Sequence, residues 1–155
     1  MNRITLVAAL LGLLAEQVTW AQSIVRFEAK GTFDDVKQLL IVAIENQGFV
    51  VDHLSKVGEM LERTGRDLGA TRKIYERAEV LEFCSAKYSR ELMEADPTML
   101  AFCPFGIGIF ALPGETDTVH LVYRRMQADV VVPQAAETLQ QVDRILRRIA
   151  EEAAQ

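Results

Sequence analysis

Cysteine is scarce in this chain: 155 residues contain two, Cys84 and Cys103. Two sulfurs cannot build a disulfide-dense scaffold, and without a CxxC spacing they lack the form that dithiol oxidoreductases use. Positive charge is also short, with 17 Lys and Arg against 22 Asp and Glu and a net charge of -5. That balance excludes nucleic acid as a partner, because phosphates require a basic face that releases counterions, and it disfavours an anionic membrane surface. Long apolar runs are missing as well. The longest, residues 4–15, is about 12 residues, where a helix needs roughly 20 to cross a bilayer. Serine nucleophile elbows, HExxH and carboxylate pairs at meaningful spacing do not occur, and PFGIGIF at 104–110 lacks the Lys and the helix start that cradle phosphate.

What is present suits one globular domain, since half of the residues are hydrophobic and a quarter charged. The N-terminus, MNRITLVAALLGLLAEQVTWAQS, sets Arg3 before the apolar run and small residues around Ala21. This is the outline of a secretory signal peptide over 1–21, followed by a domain over 22–155. Cleavage removes one base, Arg3, and one acid, Glu16, so the mature charge stays at -5. The destination would be periplasmic or secreted. An uncleaved leader would instead make the chain a small subunit of a membrane assembly, with neighbours to help the short apolar run.

Along the mature chain, residues 24–29 alternate as a strand. Thr32 then caps a helix with Asp34 and Asp35 in its first turn and an apolar stripe through Val36, Leu39, Leu40, Ala43 and Ile44, ending at Gln47-Gly48. Residues 49–54 form a second strand, and Ser55 caps a short helix that stops at Thr64-Gly65. Residues 66–73, RDLGATRK, read as a mobile loop. A strand over 75–84 precedes a helix over 85–95, capped by Ser85 and broken by Asp96-Pro97. Strands over 101–112 and 118–126 form a hairpin around PGETD, and Pro133 opens a final amphipathic helix to about residue 154. The pattern predicts an α+β domain: an antiparallel sheet of about five strands with helices mainly on one face.

Several of these pieces together, NQGFVV, EFCSAKYSRELMEADPTMLAFCPFGIGIF and HLVYRRM, resemble the domain of unknown function 302 family. The matching positions are Gly48-Phe49, Cys84, Ala86, Ala95-Asp96-Pro97, Cys103-Pro104-Phe105 and Tyr123, and the resemblance runs over roughly 24–130. It implies a small α+β fold with an antiparallel sheet, secretion in many members, and by analogy a homodimer. The cysteine pair marks a subgroup. The resemblance carries no catalytic residue.

The two sulfurs have three readings. If Cys84 ends one strand and Cys103 lies in its neighbour, strands about 4.8 Å apart bring the pair within disulfide reach, provided both point to one face. They are otherwise two buried thiols, or a thiol-dependent sulfur or redox site in which Lys87 and Arg90 would have to lower a thiol pKa. A soft-metal site for copper, or haem, would recruit Cys84, Cys103 and Met126, with Met93, Met99, His53 or His120, but their spacings follow no ligand pattern. No cofactor is expected. Gly106 and Gly108 alternate on one face of a strand and, with Phe105 and Tyr123, mark a ligand-pocket candidate; helix packing over the glycines is the bland alternative. Arg124, Arg125, Arg144, Arg147 and Arg148 could hold an anion, against a default of a solvated, ion-paired face. The sum of these expectations is a secreted binding or accessory protein with a small-molecule or protein partner.

Overall fold

The structure, a computed structural model, describes residues 23–126 and 132–155. The leader over 1–21 lies outside the described residues. Five strands, β1 (Ile24–Lys30), β2 (Val50–Ser55), β3 (Arg77–Cys84), β4 (Phe105–Ala111) and β5 (Thr118–Arg124), form one sheet in the order β1-β5-β4-β3-β2. Every neighbouring pair is antiparallel. Four helices, α1 (Phe33–Asn46), α2 (Val57–Asp67), α3 (Ala86–Ala95) and α4 (Ala136–Ala153), fill the connections and the C-terminus. The predicted fold class is the observed one.

Strand alternation decides which face is closed. In β4, Phe105, Ile107, Ile109 and Ala111 are buried and the residues between them only half so. Val119, Leu121 and Tyr123 of β5 and Leu81 and Phe83 of β3 continue the buried face. Against it α1 sets Val36, Leu40, Ala43 and Ile44, and α4 sets Leu139, Val142, Leu146 and Ile149. Each of the large aliphatic side chains removed from water here contributes about 1.5–3 kcal/mol.

The helix ends explain where these elements stop. Thr32 caps α1 as predicted, its Oγ1 accepting the Asp35 N–H at 3.2 Å. At the other end Gly48 (φ +81°) donates its N–H to the Glu45 carbonyl and Phe49 donates to Ile44, a pair of closing bonds that needs a left-handed residue. Ser85 caps α3 through the Tyr88 N–H.

Three expectations fail locally. Ser55 is the last residue of β2 rather than a cap: the N-cap of α2 is Lys56, with no side-chain bond. The helix also runs through Thr64-Gly65 to Asp67, because a mid-helix glycine costs only about 1 kcal/mol and does not stop a ladder that can continue. Residues 101–104 are not strand. Pro97–Phe102 is a 3-10 helix whose N-cap, Asp96, accepts the Thr98 N–H at 2.7 Å, and β4 begins only at Phe105. The Asp-Pro pair therefore ends α3 and starts a second short helix.

Helix α2 guards an edge. β2 ends opposite Val80, so among the described residues the outer edge of β3 from Arg77 to Glu79 lacks a strand neighbour. Gly58 of α2 lies so close to it that a Cβ there would stand 2.8 Å from the Ala78 nitrogen. Covering such an edge blocks pairing with other chains.

Candidate functional site

Cys84 is the last residue of β3, and Cys103 sits between the 3-10 helix and β4. The Phe83–Phe105 register brings the ends of β3 and β4 side by side. Cys103 thus reaches its partner from the short extended link before β4 rather than from the strand itself, which corrects the reason given for their proximity while keeping the proximity itself. The two Sγ atoms lie 2.7 Å apart, with Ser89 Oγ 3.6 Å from the sulfur of Cys103. That is closer than the ~3.5–4.0 Å of comfortable non-bonded contact and longer than the ~2.05 Å of a formed disulfide. The thiols are free and half-buried.

Burial, first, and then hydrogen bonding with Cys103 push the Cys84 thiol up to about 11, with Cys103 and Asp52 adding charge in the same direction. A thiol so raised is a poor nucleophile near neutral pH. The cations that the sequence places nearby are engaged elsewhere: Lys87 lies over the Tyr88 ring and Arg90 pairs with Glu94 at 2.7 Å. The pair is well placed to join and badly placed to attack.

The pocket candidate splits between two faces. Phe105 and Tyr123 are buried on the helix side, whereas Gly106 and Gly108 alternate to the other side. The four residues therefore do not line one space. Helix packing over the glycines fails too, since α1 and α4 occupy the opposite face. The gaps are taken by cross-strand neighbours: a Cβ on Gly108 would stand 3.1 Å from Val122 Cγ2, and one on Gly106 would stand 3.4 Å from Val80 Cγ1. The Tyr123 hydroxyl is buried without a hydrogen-bond partner, and burial followed by the charge of Asp143 pushes it up to about 12.

The metal candidates are scattered. His53 on β2 and His120 on β5 have two strands between them, and Met99 is core. Met126 is tied through its N–H to the Asp143 carboxylate at 2.9 Å. Among the described residues no group of three or more His, Cys, Asp or Glu is placed to hold a metal ion.

Two clusters escaped sequence reasoning. On the open face His120 stacks on Phe110 at 4.8 Å, Tyr75 packs tilted against Phe110 at 5.3 Å, and the His120 Nε2 lies 3.0 Å from Glu115. Together with Arg26, Phe27, Glu28 and Val122, Phe110 and His120 line a shallow recess of about 370 Å³. Alternation in 118–124 puts His120 on the half-exposed side, which was a usable signal. On the helix face, the buried Glu79 meets Lys37 at 2.5 Å and Arg77 at 3.5 Å, and Arg77 also meets Asp34 at 2.8 Å. Lys37 is at ion-pair distance from Glu79 Oε2 although that oxygen receives no directed hydrogen bond. The contact is a charge pairing. Nothing in local spacing links residues more than forty positions apart.

A single antiparallel sheet with one helix-covered face, one open face and a thiol pair at its end defines a small α+β protein. The profile of the family described as Domain of unknown function DUF302 matches residues 25–153, and the chain belongs to that family. The match extends through α4, beyond the 24–130 over which the resemblance was legible. Among solved structures, the crystal structure of an uncharacterized conserved DUF302 protein from Bacillus stearothermophilus is similar, with a TM-score of 0.72 and 14% identity over 87% of this chain and all of the other. At that identity the likeness shows the fold alone. No curated protein matches.

Proposed function

We propose that this protein is an exported binding or accessory module that holds a ligand or partner without performing chemistry on it. In an oxidising compartment Cys84 and Cys103 form a structural disulfide: each sulfur loses a proton, and two electrons pass by exchange to a disulfide-bearing oxidant of that compartment. The observation that carries this reading is the 2.7 Å separation of the two sulfurs, taken with a Cys84 thiol too basic to serve as a nucleophile. The open sheet face, smoothed by Val80 and Val122 closing over the glycines, suits a broad flat partner, a second copy of the chain included.

Intact mass of the protein recovered from the exporting cell, with and without reductant before alkylation, tests the proposal. The expected species lacks residues 1–21 and takes up alkylating agent at two sites only after reduction. A full-length mass supports the membrane-subunit alternative instead. Rapid alkylation of Cys103 without reductant supports the thiol-dependent alternative.

A further inference from the structure

The C-terminus of α1, the side of α3 that carries the half-buried Tyr88, and the middle of α4 meet around a recess of about 260 Å³. It is lined by Gln47, Tyr88, Gln141, Arg144, Ile145 and Arg148. Among the described residues no carboxylate lines it, on a chain where acids outnumber bases. Arg144 and Arg148 are one helical turn apart, so both guanidinium groups reach the same side of α4. The third arginine of the run differs: Arg147 pairs with Glu151 at 3.2 Å and lies over the Phe27 ring. Arg148 donates to the side-chain oxygen of Gln47 at 3.3 Å, which gives α1 the cation that its own last turn lacks. Arg144 has no such duty: among the described residues it makes no ion pair and no side-chain hydrogen bond. Two exposed arginines held a turn apart, without a carboxylate between them, form an incomplete fork whose missing partner is an anion.

We propose that this recess binds a small oxyanion, a phosphate or carboxylate group, through Arg144 and Arg148. The Tyr88 hydroxyl and the Gln141 side-chain N–H that is not given to Glu137 supply further donors, and Ile145 with the Tyr88 ring accepts an apolar part of the ligand. The site stands on the helix layer, independent of the state of the sulfurs and of the open sheet face.

The test is a nuclear magnetic resonance titration of the mature protein at low ionic strength with inorganic phosphate and, separately, with acetate. The expected result is saturable shifts of the Arg144 and Arg148 Nε–H signals and of the Tyr88 and Gln141 amides. Saturation by phosphate alone identifies a phosphoryl ligand, and equal saturation by acetate identifies a carboxylate. Arg144→Gln and Arg148→Gln each weaken binding about fivefold or more, whereas Arg148→Lys, which keeps charge without the fork, loses less. Arg63→Gln, an exposed change of the same charge on α2, leaves binding intact. Shifts that never saturate, that centre on other residues, or that fall equally in Arg63→Gln overturn the proposal. Both arginines are exposed, so a circular dichroism spectrum unchanged from the parent is expected for each variant.

Discussion

With the proposed disulfide formed, reduction should lower the stability of the protein by an amount set by the loop that the sulfurs close. Cys84 and Cys103 are 19 positions apart, and loop-closure entropy for about 20 residues gives about 3 kcal/mol at 25 °C, because the bond restricts the unfolded chain more than the folded one. In urea, with a slope of about 1–3 kcal/mol per molar, the midpoint should fall by about 1–3 M on reduction. In a melt the change should be about 10 °C for a domain of this size. Far-UV circular dichroism is the suitable signal, because the single tryptophan, Trp20, falls in the 1–21 segment that the proposed cleavage would remove. The Cys84→Ser, Cys103→Ser double variant is the control: it should match the reduced parent to within about 1 kcal/mol and ignore reductant. A midpoint that reductant does not move, or moves equally in the double variant, refutes the reasoning that the bond forms and confines the unfolded chain.

Other consequences separate the parts of the fold. In the reduced protein the raised Cys84 thiol makes alkaline pH destabilising: the unfolded chain gives up its proton from about 9.0, the folded chain only near about 11, and the stability present below 9.0 is lost across that window. The oxidised protein, having no thiol at position 84, should lack this loss in urea titrations followed between pH 8 and 11. Gly58→Ala should cost about 1–3 kcal/mol, since its new Cβ meets backbone rather than a movable side chain; a melt within 1 °C of the parent would show that α2 is free to withdraw from β3. Glu79→Gln should cost about 1–3 kcal/mol near neutral pH by leaving Lys37 and Arg77 without their shared carboxylate, reduced from the fully buried case because Lys37 keeps some water contact; no change in urea midpoint would make the cluster dispensable.

The number and order of strands and helices were legible from hydrophobic period, and in α1 and α3 the caps agree with it. Thr32 and Ser85 carry both signals, and their helices start where predicted. Ser55 carries only the capping type, and β2 continues through it because Ser55 still pairs with Val80. The stretch 101–104 was misread for a related reason. Phe102 and Cys103 are apolar enough for a strand, but Asp96-Pro97 supplies a cap and a first residue for a short helix, and a local hydrogen bond outcompetes a pattern of four residues. The thiol pair was legible as an either-or, since spacing brings the sulfurs near each other without fixing their oxidation. The clusters around His120 and Glu79 were not legible, because strand order β1-β5-β4-β3-β2 is a tertiary fact that no local window contains.

Strand order also explains why the glycine pair misled. Two glycines spaced by two read as an opening that something must enter, and from the sequence the candidates are a helix or a ligand. In the folded sheet β4 lies between β3 and β5, and each neighbour sets a valine beside one glycine, Val80 near Gly106 and Val122 near Gly108. A larger residue at 108 would press on Val122 at once, so glycine there serves the evenness of the surface rather than access to it. A partly apolar sheet face bordered by charged β1, its recess at Phe110 and His120 only shallow, favours contact with an extended surface over enclosure of a small molecule. The small-molecule site is more reasonably sought where three helices meet, at a recess whose two arginines have no acid between them.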